Sequence, residues 1–270
     1  MLTARAGLAF ADADGSAMPL QNRVTPHGAL EAVSVRYAPA YAAFGNRGGA
    51  LHDAQRQITK QWSTKAWLAC RLHVDRKRKT QRDDNRCFNG RKRIVMRPGF
   101  YTELFFLDQY VATAAGHRPC ACCRRKEYGA FMEAWARAHG PCPAGTWTAG
   151  RVDEVLHRDR DASSLVKPHS PRLSQVHETL AALPDGAFVS LEYGGGSRQE
   201  QQKGDAWLCW RGHLHRWTHE GYRERTPIGD VGKSDDDITL LTPRSMVKAM
   251  RCGFVPGDVH PSADDPAAPP

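Results

Sequence analysis

The amino-acid sequence predicts an α+β fold, and three observations lead to this expectation. A Cys-x-x-Cys pair at residues 120–123 follows a Gly/Pro turn and precedes a helical pattern at 124–139. Short segments rich in β-branched and aromatic residues occupy 66–74 and 187–217. We therefore expect a knuckle built from hairpins and helices, followed by a small β-rich C-terminal module.

Composition divides the chain into five predicted parts. Small and polar residues begin the sequence, and a stretch with two prolines and several basic residues separates the two folded regions. The predicted parts are a flexible arm (1–17), a main domain (18–162), a linker (163–174), a β-rich module (175–260) and a disordered tail (261–270).

Local signals predict the helices. Asp108 is a suitable N-cap for a helix over 109–115, which Gly116 ends. Apolar residues recur with helical spacing in 124–139, and a glycine follows. Further helices are expected at 152–160, 176–183 and 244–251.

The predicted strands lie on both sides of these helices. Residues 66–74 are expected to form a buried strand that carries Cys70. The next residues, 75–93, have almost no apolar content, so we interpret them as an insertion in a hairpin whose return strand is 94–96. The C-terminal module is expected to contain a strand at 187–193 and a hairpin of 206–210 and 213–217.

Aromatic and histidine residues of this hairpin allow two interpretations each. Its tryptophans are expected in the core, with base stacking as the alternative. Its histidines are expected on a solvated strand face, with a metal cluster as the alternative. These residues are Trp207, Trp210, Trp217, His213, His215 and His219.

Charge and composition restrict the function classes. Lys and Arg number 38 against 29 Asp and Glu, a formal net charge of +9, so we expect an anionic partner and foremost nucleic acid. No apolar run reaches the length of a membrane span, and the first residues lack an export signal, so a cytoplasmic protein is expected. The eight cysteines suit a reducing compartment with a bound metal. No GxGxxG, Walker, HExxH or GxSxG signature is present.

Cys120 and Cys123 are the predicted metal ligands. Two arginines follow the pair directly, which favours the thiolate form that binds metal. Buried inert cysteines or a redox pair are the alternatives. We expect Cys70 as the third ligand and His52 or Cys122 as the fourth, which would make a structural zinc site.

Two segments resemble the Ada-type zinc-binding domain. Residues 112–125 carry an Ala-rich stretch, Gly-His-Arg-Pro, Cys-Ala-Cys-Cys and two arginines, and residues 45–52 resemble the Gly-Asn entry of Ada-like knuckles. The resemblance covers 45–126 and implies a DNA-binding zinc module, in some members one that handles alkylated DNA. The whole chain also resembles, more loosely, bacterial anti-phage glycosylases that excise modified cytosine.

Basic residues around the knuckle are the predicted DNA contacts. A loop dense in Arg and Lys beside a zinc site is suited to follow a phosphate backbone. The backbone amides at the start of the 124–139 helix are a further predicted phosphate-binding site. The predicted contacts are Arg47, Arg76, Lys77, Arg78, Lys79, Arg91, Lys92, Arg93, Arg118, Arg124 and Arg125.

Three polar residues are the catalytic candidates. Glu103 lies among aromatic residues, where burial would raise the pKa of its carboxyl group as proton transfer requires. Asp53 follows His52 directly, and Asn46 lies in a Gly-rich turn that would approach a phosphate or a base. An edge position without catalytic role is the alternative for Glu103.

These features predict a monomeric, DNA-binding zinc protein that acts on modified or damaged bases in double-stranded DNA. A DNA glycosylase is the principal hypothesis, since a basic groove, aromatic walls and a carboxylate are what base extrusion and N-glycosidic cleavage require. The alternative is a zinc-bound thiolate, best assigned to Cys70, that accepts an alkyl group and reports damage. A metal-dependent nuclease is a third possibility.

Overall fold

The computed structural model describes residues 19–33, 41–72, 95–160, 171–191, 205–232, 234–235 and 237–264. Within this part of the chain, four helices and two sheets confirm the α+β expectation. The expected flexible arm, the basic run at 76–93 and most of the expected linker lie outside the described residues.

The first sheet has six strands in the order β2-β1-β5-β3-β4-β6. β1 pairs with β5 in parallel, as β4 does with β6, and the other pairs are antiparallel. The strands are β1 (Gln21–Val24), β2 (Leu30–Ala32), β3 (Ala43–Asn46), β4 (Leu68–Arg71), β5 (Leu104–Phe106) and β6 (Arg118–Pro119).

The second sheet is an antiparallel meander in the order β10-β9-β8-β7-β11. Its predicted hairpin is confirmed: β8 and β9 meet at Arg211 and Gly212, which both have positive φ (48° and 75°), as a tight two-residue turn requires. The strands are β7 (Phe188–Leu191), β8 (Asp205–Trp210), β9 (His213–Thr218), β10 (Gly221–Pro227) and β11 (Ile238–Leu240).

The helices follow the local signals closely. α1 begins after Asp108, whose Oδ1 accepts a hydrogen bond of 2.9 Å from the Val111 amide, and the chain leaves it at Gly116 with φ +82°. α2 ends at Gly140 as predicted. The helices are α1 (Gln109–Ala114), α2 (Arg125–His139), α3 (Ala149–Asp159) and α4 (Arg244–Arg251).

Several boundaries differ from the expectation. α3 begins at Ala149 because Thr148 caps it. The helix expected at 176–183 is replaced by two single 3₁₀ turns, Ser174–Val176 and Leu180–Ala182. The return strand expected at 94–96 is not formed by its described residues: Val95 and Met96 lie in a turn, and β4 pairs instead with β3 and β6.

The Gly-Asn pair lies in a strand, not in the predicted turn. Gly45 is inside β3, where a Cβ atom would lie 2.2 Å from the Leu68 carbonyl oxygen and 2.9 Å from the Phe106 ring. Only glycine allows β4 and Phe106 to approach this closely. Gly45 is therefore required for the close packing of the strands and does not mark a turn.

The two expected folded units share a core. One buried cluster contains Phe106 and Trp135 from the first unit and Phe188, Leu208 and Tyr222 from the second. Trp207 is buried, and Trp210 and Trp217 pack at the margin of the core, as expected for hairpin tryptophans. The predicted tail is ordered at its start, since Pro261–Ala263 form a 3₁₀ turn with Ser262 and Ala263 buried.

Candidate metal centre and nucleic-acid interface

Three cysteine sulfurs meet at one edge of the first sheet. Cys70 lies on β4, and Cys120 follows β6, whose parallel pairing with β4 places the two residues side by side. The Cys120 amide donates to the Ala69 carbonyl at 2.9 Å, and the Arg124 amide donates back to the Cys120 carbonyl at 3.0 Å, which closes the turn that brings in Cys123. All three sulfurs lie within 4.8 Å of one another.

This cluster has the donor chemistry of a metal site. Thiolates around a tetrahedral Zn²⁺, at about 2.3 Å from the ion, would lie roughly 3.8 Å apart. The observed spacing is compatible with that geometry. Soft sulfur donors without carboxylates favour zinc or another thiophilic ion over magnesium or calcium. The predicted Cys70, Cys120 and Cys123 are thus brought together.

The three thiols differ in pKa. Hydrogen bonds from Cys123 and Cys70 lower the pKa of Cys120 far below its usual value, while hydrogen bonding to Cys120 raises the pKa of both Cys70 and Cys123. Cys70 and Cys120 are buried, whereas Cys123 is only half-buried. Cys123 is therefore the sulfur nearest to solvent.

The structure places His52 away from the thiols. Its Nε2 lies 3.3 Å from the Arg97 carbonyl oxygen and its Nδ1 lies 2.6 Å from Thr102 Oγ1. Because a carbonyl only accepts, Nε2 carries the proton and Nδ1 accepts from the Thr102 hydroxyl, so neither nitrogen is available to a metal. Cys122, the other predicted fourth ligand, is exposed and outside the cluster.

Arg47 is buried and is not a surface contact for DNA. Its Nη2 donates to the Gly28 carbonyl at 2.8 Å, its Nε donates to His117 Nε2 at 3.3 Å, and its guanidinium lies 3.8 Å from the Trp67 ring centroid. Burial, reinforced by the positive charge of Arg160, lowers the pKa of Arg47 well below its usual value. Carbonyl and imidazole acceptors compensate for the lost water.

Arg118 and Arg124 are also structural. Arg118 forms a buried bidentate ion pair with Asp153 on α3, and Arg124 donates to the Pro256 carbonyl at 2.6 Å. Both residues are no more than 4% exposed. These predicted DNA contacts therefore anchor the chain around Cys120 to distant segments and do not reach solvent.

Exposed basic residues nevertheless lie on segments that form the thiol cluster or pack beside it. Arg125 is exposed as predicted, and Lys126 beside it is exposed as well. Arg71, next to Cys70, is exposed and its amide donates to Cys123 Sγ at 3.4 Å. Arg97 is exposed in the loop after Met96, whose side chain packs in the same small core as Cys70. Arg71 and Arg97 were not among the predicted contacts, although the position of Arg71 beside a predicted ligand was a usable signal.

The three catalytic candidates each stabilise local backbone. Glu103 is 1% exposed, and its Oε2 accepts a hydrogen bond of 2.8 Å from the Met96 amide. Asp53 Oδ1 lies 2.9 Å from the amide nitrogens two and four residues further along. Asn46 Oδ1 accepts from the Gly48 amide at 3.3 Å. Of the three, Glu103 is the buried one.

A cluster of polar side chains, which was not predicted, joins the two sheets. The Tyr41 hydroxyl is hydrogen-bonded to Nδ1 of His219, and His219 Nε2 lies 2.8 Å from Glu31 Oε2. The Arg23 guanidinium lies 5.0 Å from the Tyr41 ring centroid. Burial raises the pKa of Tyr41. His219 thus has defined partners and does not lie on a solvated strand face. Because Tyr41 and Glu31 are far from His219 in sequence, no local pattern indicated these contacts.

Among the described helices, none has the length and apolar content needed to cross a membrane. Comparison with known families finds no family model that matches this chain, and comparison with curated proteins and with solved structures finds no match either.

Proposed function

We propose that the three thiols hold Zn²⁺ and that the basic surface around them binds double-stranded DNA. The supporting observation is the position of Arg71, Arg97, Arg125 and Lys126, which are exposed on the segments that carry or cover the cluster. Arg97, Arg125 and Lys126 can each displace a counterion from the phosphate backbone, so affinity falls as salt rises. Arg71 must first exchange its ion pair with Glu127, in which Nη2 lies 3.1 Å from Oε1. The net charge of +9 supports the same partner.

The proposed role of zinc is structural. A bound ion would supply a rigid cross-link among β4, the turn after β6 and the start of α2, without redox chemistry. The cross-link would hold Arg71 and Arg125 in one arrangement, since each is close in sequence to a ligand. Zinc binding and DNA affinity are then coupled through the geometry of this edge.

The proposed activity is excision of a modified base. Water attacks C1′ of the deoxyribose as the N-glycosidic bond breaks; the base leaves with the proton that the water gives up, and an abasic site with a C1′ hydroxyl remains. The basic surface, the resemblance to glycosylases and the carboxylate of Glu103 support this reaction. Because Glu103 is buried and bonded to the Met96 amide, its action on water requires residues 95–102 to open.

The second candidate is a thiolate that accepts an alkyl group from DNA. The observation that favours it is the half-exposed Cys123 in a cluster of ionisable thiols. Direct displacement needs the sulfur to reach the alkyl carbon, so the acceptor in this arrangement is Cys123 and not the buried Cys70. The reaction would occur once per molecule.

One experiment distinguishes these activities. Zinc-loaded protein is incubated with duplexes carrying different cytosine or adenine modifications, and samples are examined before and after alkali and by intact-protein mass. Repeated turnover with strand breaks only after alkali supports the glycosylase. A mass increment on one cysteine supports the acceptor, and breaks without alkali that chelators of Mg²⁺ abolish support a nuclease. Absence of zinc from the purified protein, or of salt-sensitive DNA binding, contradicts the proposal.

A further inference from the structure

Residues 96–103, here called the Phe100 loop, are clamped at their base by buried groups. The Met96 amide donates to Glu103 Oε2 at 2.8 Å, and the Arg97 carbonyl accepts from His52 at 3.3 Å. Thr102 Oγ1 accepts from the Leu51 amide at 2.7 Å. Glu103, a predicted catalytic residue, and His52, a predicted metal ligand, thus hold the base of one loop.

The tip of this loop exposes an aromatic ring. Phe100 is 49% exposed, and its amide donates to the Arg97 carbonyl at 3.1 Å, which closes a tight turn through Gly99 at φ +81°. The Arg97 guanidinium lies 4.7 Å from the centroid of the Phe100 ring. Among the large hydrophobic residues that the structure describes, only Phe100 and Val255 are exposed.

The surroundings of Phe100 favour a polyanion over an apolar protein groove. The Arg97 guanidinium lies against the ring, and further exposed cations, Arg125 and Lys126, lie close in sequence to the thiol cluster, whose small core includes Met96 at the base of the loop. A protein groove would require a contiguous apolar patch, which a single ring beside arginine does not make. A flat ring with a cation beside it matches a step of stacked bases with a phosphate beside it.

We propose that Phe100 is a wedge that inserts into the base stack of duplex DNA, with Arg97 on an adjacent phosphate. Insertion unstacks one base step and thereby lowers the free energy needed to extrude the neighbouring base. The inference rests on the proposed DNA binding and adds how the duplex is opened.

The test uses full-length, zinc-loaded protein and duplexes that contain 2-aminopurine, whose fluorescence rises when the base leaves the stack. Phe100→Ala removes the ring, Phe100→Leu keeps an apolar wedge, and Val255→Ala removes the other exposed apolar side chain. Because all these positions are exposed, the variants are expected to keep the zinc content and melting temperature of the wild type.

We expect wild type, Val255→Ala and, to a smaller extent, Phe100→Leu to raise the fluorescence on binding. Phe100→Ala is expected to lose the rise and to bind about tenfold more weakly, with an unchanged salt dependence. A full fluorescence rise with Phe100→Ala overturns the wedge, as does wild-type binding without any rise. In both cases the proposed DNA binding survives, whereas no wild-type binding overturns both proposals.

Discussion

Arg118 and Asp153 form a buried bidentate ion pair, in which Nε lies 2.7 Å from Oδ1 and Nη2 lies 2.7 Å from Oδ2. The pair joins β6, which leads into Cys120, to α3. Both side chains are at most 7% exposed. The position of the thiol turn therefore depends on a helix that contributes no metal ligand.

Asp153→Ala should destabilise the fold strongly. The substitution leaves the Arg118 charge buried without its partner, which costs about 3–5 kcal/mol. Chemical denaturation measures the free energy of unfolding. Glu154→Ala, which removes the exposed partner of Lys65, is the neighbouring control and should have little effect. An Asp153→Ala protein as stable as wild type would contradict the role of the pair.

Substitution of a ligand thiol should abolish metal binding. Cys70→Ser, Cys120→Ser and Cys123→Ser each leave two thiols of the cluster, and we expect loss of bound zinc and a lower melting temperature. Cys122→Ser is the matched control, since that side chain is exposed and outside the cluster. Metal analysis of purified protein provides the measurement. Full zinc content in a ligand variant would remove that residue from the assignment.

Glu103 can be tested for catalysis separately from its structural role. Glu103→Gln keeps a carbonyl oxygen for the Met96 amide, so the Phe100 loop should stay clamped and DNA binding should persist while turnover is lost. Glu103→Ala leaves this buried amide unsatisfied and should cost about 1–3 kcal/mol of stability. Unchanged turnover with Glu103→Gln would transfer the catalytic role to another residue.

DNA affinity should depend on the exposed cations beside the knuckle. Arg125→Ala and Lys126→Ala should each weaken binding to all sequences and reduce the salt slope by about one. Lys248→Ala removes an exposed cation on α4, away from the segments that form the thiol cluster, and serves as a charge-matched control. The same loss of affinity with Lys248→Ala would indicate non-specific attraction and not an interface at the knuckle.

Stability should decrease as the pH falls through the range of free histidine. Burial, with the nearby charges of Arg47 and Arg160, lowers the pKa of His117 well below 6.5. Below that pH the unfolded chain binds a proton that folded His117 does not, so the free energy of unfolding falls, by at most about 1.4 kcal/mol per pH unit for one such group. Burial also lowers the pKa of His139, His157, His215 and His260, which act in the same direction.

His117→Gln retains a hydrogen-bond acceptor for Arg47 and should flatten this pH dependence without removing it. Denaturant titrations between pH 5 and pH 7 provide the comparison. A slope identical to that of the wild type would show that His117 titrates alike in the folded and unfolded chains.

Local sequence signals predicted the elements that depend on a few neighbouring residues. The Asp108 cap and Gly116 define α1, and Arg211-Gly212 forms the hairpin turn, because caps and tight turns are settled by hydrogen bonds and φ values within one turn of chain. The thiol cluster was predictable for a related reason. Cys120 and Cys123 are close in sequence, and Cys70 is on a strand whose buried pattern was evident.

Whether an individual polar residue is buried or exposed was decided only by packing between distant segments. Arg118 and Arg125 look alike in sequence, yet one is buried against α3 and the other is exposed, because burial depends on which residue from elsewhere meets the side chain. His52 was a predicted metal ligand, but Thr102 and the Arg97 carbonyl occupy both of its ring nitrogens, and one oxygen of the Glu103 carboxylate accepts from the Met96 amide. Residue type and spacing define what a side chain can do, and the long-range contacts of the fold determine which of those possibilities remains open.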